Sequence, residues 1–356
     1  MKLIDIFTTA GLKPSSGEYG LEIETETASG NDYPPNFFIP SGTDSKGNNR
    51  YVIPMTSFCA VDDGSLRNFG KEFVLVEPLK YADLVSELGS FHELTKDIPF
   101  IKDAPATSIH VHVNMQDESL TVLMNYIILW TMFENVLLEY SGRRANLFAL
   151  PTRCAEGSVK NIKAMINKIV ELDPQAIFHN EVHAKYYALN LAPLWRFGSV
   201  EIRSMRGTTD VKEIIEWVSI LDCILRFAKT PGLLPTGIVG LMKESDPITT
   251  VFGDLRQKLR TGNEDALVRR NISYVLDLVE ECPDWSTFGE YPLPEKPKRG
   301  RKKVIPVLSE QGTFAQAMAG SIGSTLSMSQ PPDMVIFDDI VDQSGHFDPG
   351  NPNGDD

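Results

Sequence analysis

Three short segments, GLEIETE at 20–26, SIHVHVN at 108–114 and SVEIRSM at 199–205, alternate apolar residues with ionisable or strongly polar ones. Successive side chains on a β-strand point to opposite faces, so this period of two fits strands packed on one side and does not fit helices. The first segment puts Leu21, Ile23 and Thr25 on one face and Glu22, Glu24 and Glu26 on the other. The second sets Ile109, Val111 and Val113 against His110, His112 and Asn114, and the third sets Val200 and Ile202 against Glu201 and Arg203. A merely solvated face would more often carry Lys, Thr, Ser and Gln. A weaker fourth case is KEFVLVEP, where Glu72 shares its face with Val74 and Val76.

Helical patterns are expected at roughly 118–140, 157–171, 211–229 and 264–281, with Asp210 as N-cap of the third and Glu213 placed for a capping box. Strands and helices do not alternate regularly, which argues against a doubly wound parallel sheet. The expected class is α+β, with helices packed on one side of a mainly antiparallel sheet. The most apolar stretch, LTVLMNYIILWTMFENVLL, is interrupted by Asn125, Glu134 and Asn135, each costly in hydrocarbon, so it reads as a core helix and not a membrane span.

The chain divides near residue 290, giving a folded domain at 1–290 and a segment at 291–356. In the latter, the basic hinge KPKRGRKK precedes an acidic tail with eight Asp and Glu and no Lys or Arg beyond Lys303. Such a tail buries too little apolar surface to offset its ordering entropy and is expected to be largely disordered. Its island MVIFDDIVD is a candidate contact for a protein partner. A net charge of -14 argues against a nucleic-acid-coating role, because such proteins use excess Lys and Arg to displace phosphate counterions. The four cysteines, Cys59, Cys154, Cys223 and Cys282, form no CxxC pair and read as reduced thiols in a cytoplasmic protein. No signal-peptide core follows Lys2.

Carboxylates converging with one or two imidazoles suit Mg²⁺, or Mn²⁺, and leave coordination positions for phosphate oxygens. An arginine two residues from a metal-binding glutamate points the same way and can brace a phosphate bidentately. An ExE pair or an HxH pair alone is a weak signal; their combination on successive strands is much more specific.

The order GLEIETE, DDGSL then KEFV, IHVHVN, GRRAN, and KYYALNLAPL with GSVEIRSMRGTTD resembles the amidoligase family, carboxylate-amine ligases sharing their fold with glutamine synthetase and glutamate-cysteine ligase. It spans residues 17 to about 210, and the block from Lys185 to Asp210 is its most specific part. The resemblance implies a curved, mainly antiparallel sheet with helices on its convex side and Mg²⁺ ions with ATP on the concave face. It implies Glu22, Glu24, Glu72, His110 and Glu201 as metal ligands. His112 and Asn114 would lie towards the nucleotide, and Arg203, with Arg206 as a second, would hold phosphate. Arg143 or Arg144, with Asn146, would hold a substrate carboxylate, and Tyr187 and Asn190 would line the site or pack beside it. Asp63, with Asp62 as its rival, would position or deprotonate the amine. The implied substrate is a small molecule or peptide with a carboxylate and an amine. Members are frequent in tailed-phage and bacterial genomes, which fits a phage-encoded enzyme in the host cytoplasm. Where the family follows its second glutamate strand with a Ser-Pro-like turn, this chain reads VLVEPL. The Gly-, Pro- and Asn-rich stretch after the first strand is either a lid or a long surface loop.

Other chemistries are less well served. GSLRNFGKE resembles a Walker A loop only superficially, and HNEVH, with His179 and His183, lacks the acidic position of a zinc protease. The alternatives are a cupin-like oxygenase on a β-barrel and a non-catalytic interaction protein that retains the fold.

Overall fold

A computed structural model describes residues 2–7, 12–44, 47–102, 104–142, 149–152, 186–244, 246–260 and 262–281. The expected helix at 157–171, His179, His183, the hinge and the acidic tail lie outside the described residues, as do Cys154 and Cys282. Cys59 and Cys223 are free thiols.

Among the described residues, eight strands make one sheet in the order β2-β3-β4-β5-β1-β6-β8-β7. They are β1 (Tyr19–Thr25), β2 (Ile39–Thr43), β3 (Asn49–Val52), β4 (Phe58–Val61), β5 (Lys71–Leu75), β6 (Ser108–Asn114), β7 (Leu189–Asn190) and β8 (Ser199–Arg206). Every adjacent pair is antiparallel, and among the described residues the sheet is open, with β2 and β7 at its edges. An open sheet of this kind is not the closed barrel that a cupin requires.

The helices are α1 (Leu3–Phe7), α2 (Tyr81–Thr95), α3 (Leu120–Tyr140), α4 (Pro193–Phe197), α5 (Val211–Ala228), α6 (Pro235–Glu244), α7 (Pro247–Phe252) and α8 (Glu264–Glu281). The apolar faces of the central strands, Leu21 and Ile23, Phe73, Ile109, Val111 and Val113, and Val200 and Ile202, are fully buried. Helix α5 lies against β6, and α3 against β8. The fold is α+β.

Helix α3 is long and apolar enough to cross a membrane by length and composition, yet 83% of its most apolar window is buried inside the protein. Its polar interruptions all have protein partners. Asn125 Nδ2 donates to Ala228 O at 3.1 Å and Leu233 O at 2.9 Å, and Asn135 Nδ2 donates to Asn271 Oδ1 at 3.0 Å. Glu134 accepts from Trp130 Nε1 at 3.1 Å and from Thr152 Oγ1 at 2.7 Å, which ties the 149–152 segment to α3. Partners of this kind make the burial of polar groups tolerable.

Asp210 caps α5, its side chain accepting from Lys212 N at 2.9 Å. The expected capping box is not formed: Glu213 Oε1 instead accepts from Arg206 Nη2 at 2.8 Å, a charge-assisted bond that links the helix to the end of β8. The stretch after β1 is neither a free lid nor a loop. Its β2–β3 hairpin extends the sheet, and its Tyr33 and Phe37 are buried, with Phe37 edge-on to Phe73 at 6.5 Å between centroids.

Candidate metal centre

Strand register assembles the site. Glu24 lies opposite Glu72 across β1 and β5, and Glu22 lies opposite His110 across β1 and β6. His112 lies opposite Glu201 across β6 and β8, and Glu201 opposite Asn190 across β8 and β7. Residues opposite one another share a face, so five adjacent strands contribute to one row of polar side chains. Gly20 stands opposite His112, where a Cβ would come within 3.2 Å of the His112 Cβ, so its lack of a side chain makes room for the imidazole.

Within the row, Glu22 bridges both histidines: Oε2 lies 3.0 Å from His110 Nδ1, and Oε1 lies 3.2 Å from His112 Nε2. Ser108 Oγ donates to Glu24 and sits 2.9 Å from His110 Nε2, while Ser199 Oγ lies 3.1 Å from His112 Nδ1. Glu201 Oε1 is 3.6 Å from His110 Nδ1 and accepts from Arg203, and Asn190 Nδ2 donates to Glu201 Oε2 at 2.6 Å. Three overlapping sets, Glu24 with Asp63 and Glu72, Glu22 with Glu72 and His110, and Glu22 with His112 and Glu201, each bring their ligand atoms within 4.8 Å of one another.

The charges are out of balance on the β1–β5 side. Burial, reinforced by the charges of Glu22 and Glu24, pushes the Glu72 carboxyl up to about 9. Burial also works against the charged forms of Glu22 and His112, but their hydrogen bonding outweighs it. The bonds with His110 and His112 hold Glu22 well below the usual carboxylate range, and the bond with Glu22 raises His112.

The remaining expected residues divide by position. Asp63 joins Glu24 and Glu72, whereas Asp62 is engaged by Lys71, by Asn49 Nδ2 at 2.9 Å and by the Tyr51 hydroxyl at 3.2 Å. Glu26 has left the strand: it accepts from Arg67 N at 2.7 Å and pins the 62–70 loop that carries Asp63, so it does not belong to the chelating row. The Walker-like residues form this loop and the start of β5, with Lys71 paired to Asp62, and no helix follows directly.

A bulge explains the two arginines. Ile109 pairs with Met205 while Val111 pairs with Ile202, so β8 has one residue more than β6 between these pairs. The extra residue shifts the alternation, and Arg206, opposite Ser108, returns to the face that carries Glu201 and Arg203. Strict alternation from Glu201 would have sent Arg206 into the core. Arg203 keeps Nε buried with no hydrogen-bond partner.

Asn114 lies at the far end of β6 with its amide taken up locally. Nδ2 donates to Gly17 O at 2.6 Å and Oδ1 accepts from Gln116 N at 2.9 Å, which makes it an anchor for the chain leading into β1. Asn190 braces Glu201, and Tyr187 forms an isolated bridge with Leu150. Arg143, Arg144 and Asn146 lie outside the described residues. Ser108 and Ser199 escaped the sequence reading, although each stands two residues from an identified member of the row.

No protein-family model matches the chain, and no curated protein matches it.

Proposed function

We propose that this protein is an ATP- and Mg²⁺-dependent carboxylate-amine ligase of the amidoligase kind, with the curved sheet of the glutamine synthetase-like fold. The observation that carries the reading is the in-register row Glu24–Glu72, Glu22–His110 and His112–Glu201, flanked by Arg203. Burial and the neighbouring carboxylates Glu22 and Glu24 together keep Glu72 protonated at neutral pH. That donor set lacks positive charge, and its oxygen-rich make-up with two imidazoles fits Mg²⁺ or Mn²⁺.

Glu24, Glu72 and Asp63 would hold one ion, and Glu22, His110 and Glu201 another. Bound there, divalent ions neutralise phosphate charge and align the groups for in-line transfer. Arg203 retains an unpartnered guanidinium nitrogen beside Glu201, suited to charge developing on the transferred phosphoryl group. A substrate carboxylate oxygen attacks the γ-phosphorus, and the bond to the bridging oxygen breaks with its electron pair leaving on ADP. An amine then attacks the acyl carbon, and the carbon–oxygen bond breaks with its electron pair leaving on phosphate. Asp63, at the edge of the row, is the group suited to take the proton the amine loses. His112, engaged through its two ring nitrogens by Glu22 and Ser199, would orient Glu22 for its ion.

The test is an ADP-release screen across amino acids, polyamines and peptides, with mass spectrometry of products. An ¹⁸O-labelled substrate carboxylate is expected to pass one label to the released phosphate. Amide formation in which the expelled label appears in AMP or water and not in phosphate rules out the acyl phosphate, and iron-dependent oxygen uptake in place of ADP release overturns the reading.

A further inference from the structure

A cleft of about 780 Å³ opens at the Glu24 end of the row, with Glu24 and Arg206 on its lining. The size falls in the range of roughly 300–1,000 Å³ typical of ligand-binding clefts. One wall is the segment Ile98–Lys102, where Ile101 is 39% exposed and an isolated bridge joins Phe100 to Thr27.

The charge of the lining contrasts with that of the chain. Against a net charge of -14, the cleft carries Lys96, Lys102, Arg206 and Lys212. Three acidic residues share the lining, Glu24 of the carboxylate row, Glu213 paired with Arg206, and Asp210 as the cap of α5, so the four cations exceed the acids by one. Lys96 pairs with Glu93, whereas Lys102 and Lys212 are exposed and form no ion pair among the described residues. Lys212 also stands in the first turn of α5, where the helix dipole favours anions. The two unpaired lysines on the rim favour carboxylates over amines there.

We propose that this cleft binds the carboxylate substrate as part of an acidic peptide, with the reacting carboxylate at the Glu24 end of the row, where the metal of the ligase reading would offset its charge, and flanking carboxylates at Lys102 and Lys212. The proposal rests on the ligase reading and names the substrate class of that site. An apolar wall beside a cationic rim suits an extended peptide whose side chains alternate between the two.

The full chain is assayed with Mg·ATP and hydroxylamine as a generic amine, comparing free glutamate with a tri-glutamate peptide blocked at both ends and reading hydroxamate. The peptide is expected to show a kcat/KM at least ~10-fold above that of glutamate, and Lys102→Glu/Lys212→Glu to raise its KM by ~10-fold, more than it lowers kcat. Both lysines are exposed, and the single Lys102→Ala variant should raise KM in the same direction by a smaller factor. Equal efficiency with free glutamate, or an unchanged KM in the double variant, overturns the proposal and leaves the ligase reading standing. Absence of Mg·ATP binding to the wild-type protein by calorimetry overturns both.

Discussion

Glu24 and Glu72 face each other in register across β1 and β5, two carboxyl groups on a mostly buried surface. Like charges directly opposite one another destabilise a sheet. Burial, with the charges of Glu22 and Glu24 added, therefore pushes the Glu72 carboxyl up to about 9 and leaves it uncharged at neutral pH. A fold selected for stability alone would put another residue there.

That arrangement has a consequence for pH. The folded, metal-free protein holds a proton on Glu72 between the ordinary glutamate value of 4.5 and about 9, while the unfolded chain does not. This group therefore lowers stability as pH rises through that window, with a limiting slope of ~1.4 kcal/mol per pH unit for one proton. Glu72→Gln should flatten the alkaline side of the denaturation profile measured by urea titration from pH 5 to 9 without metal. A profile with the wild-type slope contradicts the crowding.

Removing either end of the row should stop the chemistry while sparing the fold. Glu24→Gln and Glu201→Gln are each expected to lower Mg²⁺-dependent ATP turnover by more than ~100-fold. Circular dichroism should show the wild-type spectrum and a cooperative melt. Wild-type-like turnover by either variant would sink the metal assignment.

Asn190 acts through Glu201, which it holds by a 2.6 Å hydrogen bond on the side away from Arg203. Asn190→Ala should leave the protein folded and weaken Mn²⁺ binding by about 10–100-fold, the usual effect of losing a group that orients a ligand. Electron paramagnetic resonance of Mn²⁺ titrations reads this directly. Unchanged affinity would reduce Asn190 to packing.

Much of the site was legible because it lies on strands with one apolar face. SIHVHVN corresponds to β6 residue for residue, and the alternation correctly grouped Glu22, Glu24, His110, His112, Glu201 and Arg203. The failures have physical causes. Glu26 obeys the alternation in sequence, but β1 ends at Thr25 and the carboxylate turns to cap a loop. Arg206 reaches the site face through a bulge, which no period of two reveals. Asp62 and Asp63 are separated only by the loop that presents them, since Lys71 takes one and the carboxylate row the other. Strand β2 is exposed along its whole length and β3 is nowhere fully buried, so neither carries an apolar alternation that would mark the hairpin in the sequence. Helix α2 buries Leu84, Leu88, Phe91 and Thr95, a stripe visible in the sequence but diluted by Gly89 and polar residues.

The central claim is that the carboxylate row binds ATP through divalent metal. Calorimetric titration of ATP into the full-length protein, once with Mg²⁺ and once with EDTA, tests it most directly. Saturable binding with Mg²⁺ that vanishes in EDTA is the predicted result; ATP binding that is indifferent to the metal, or absent in both, would contradict it.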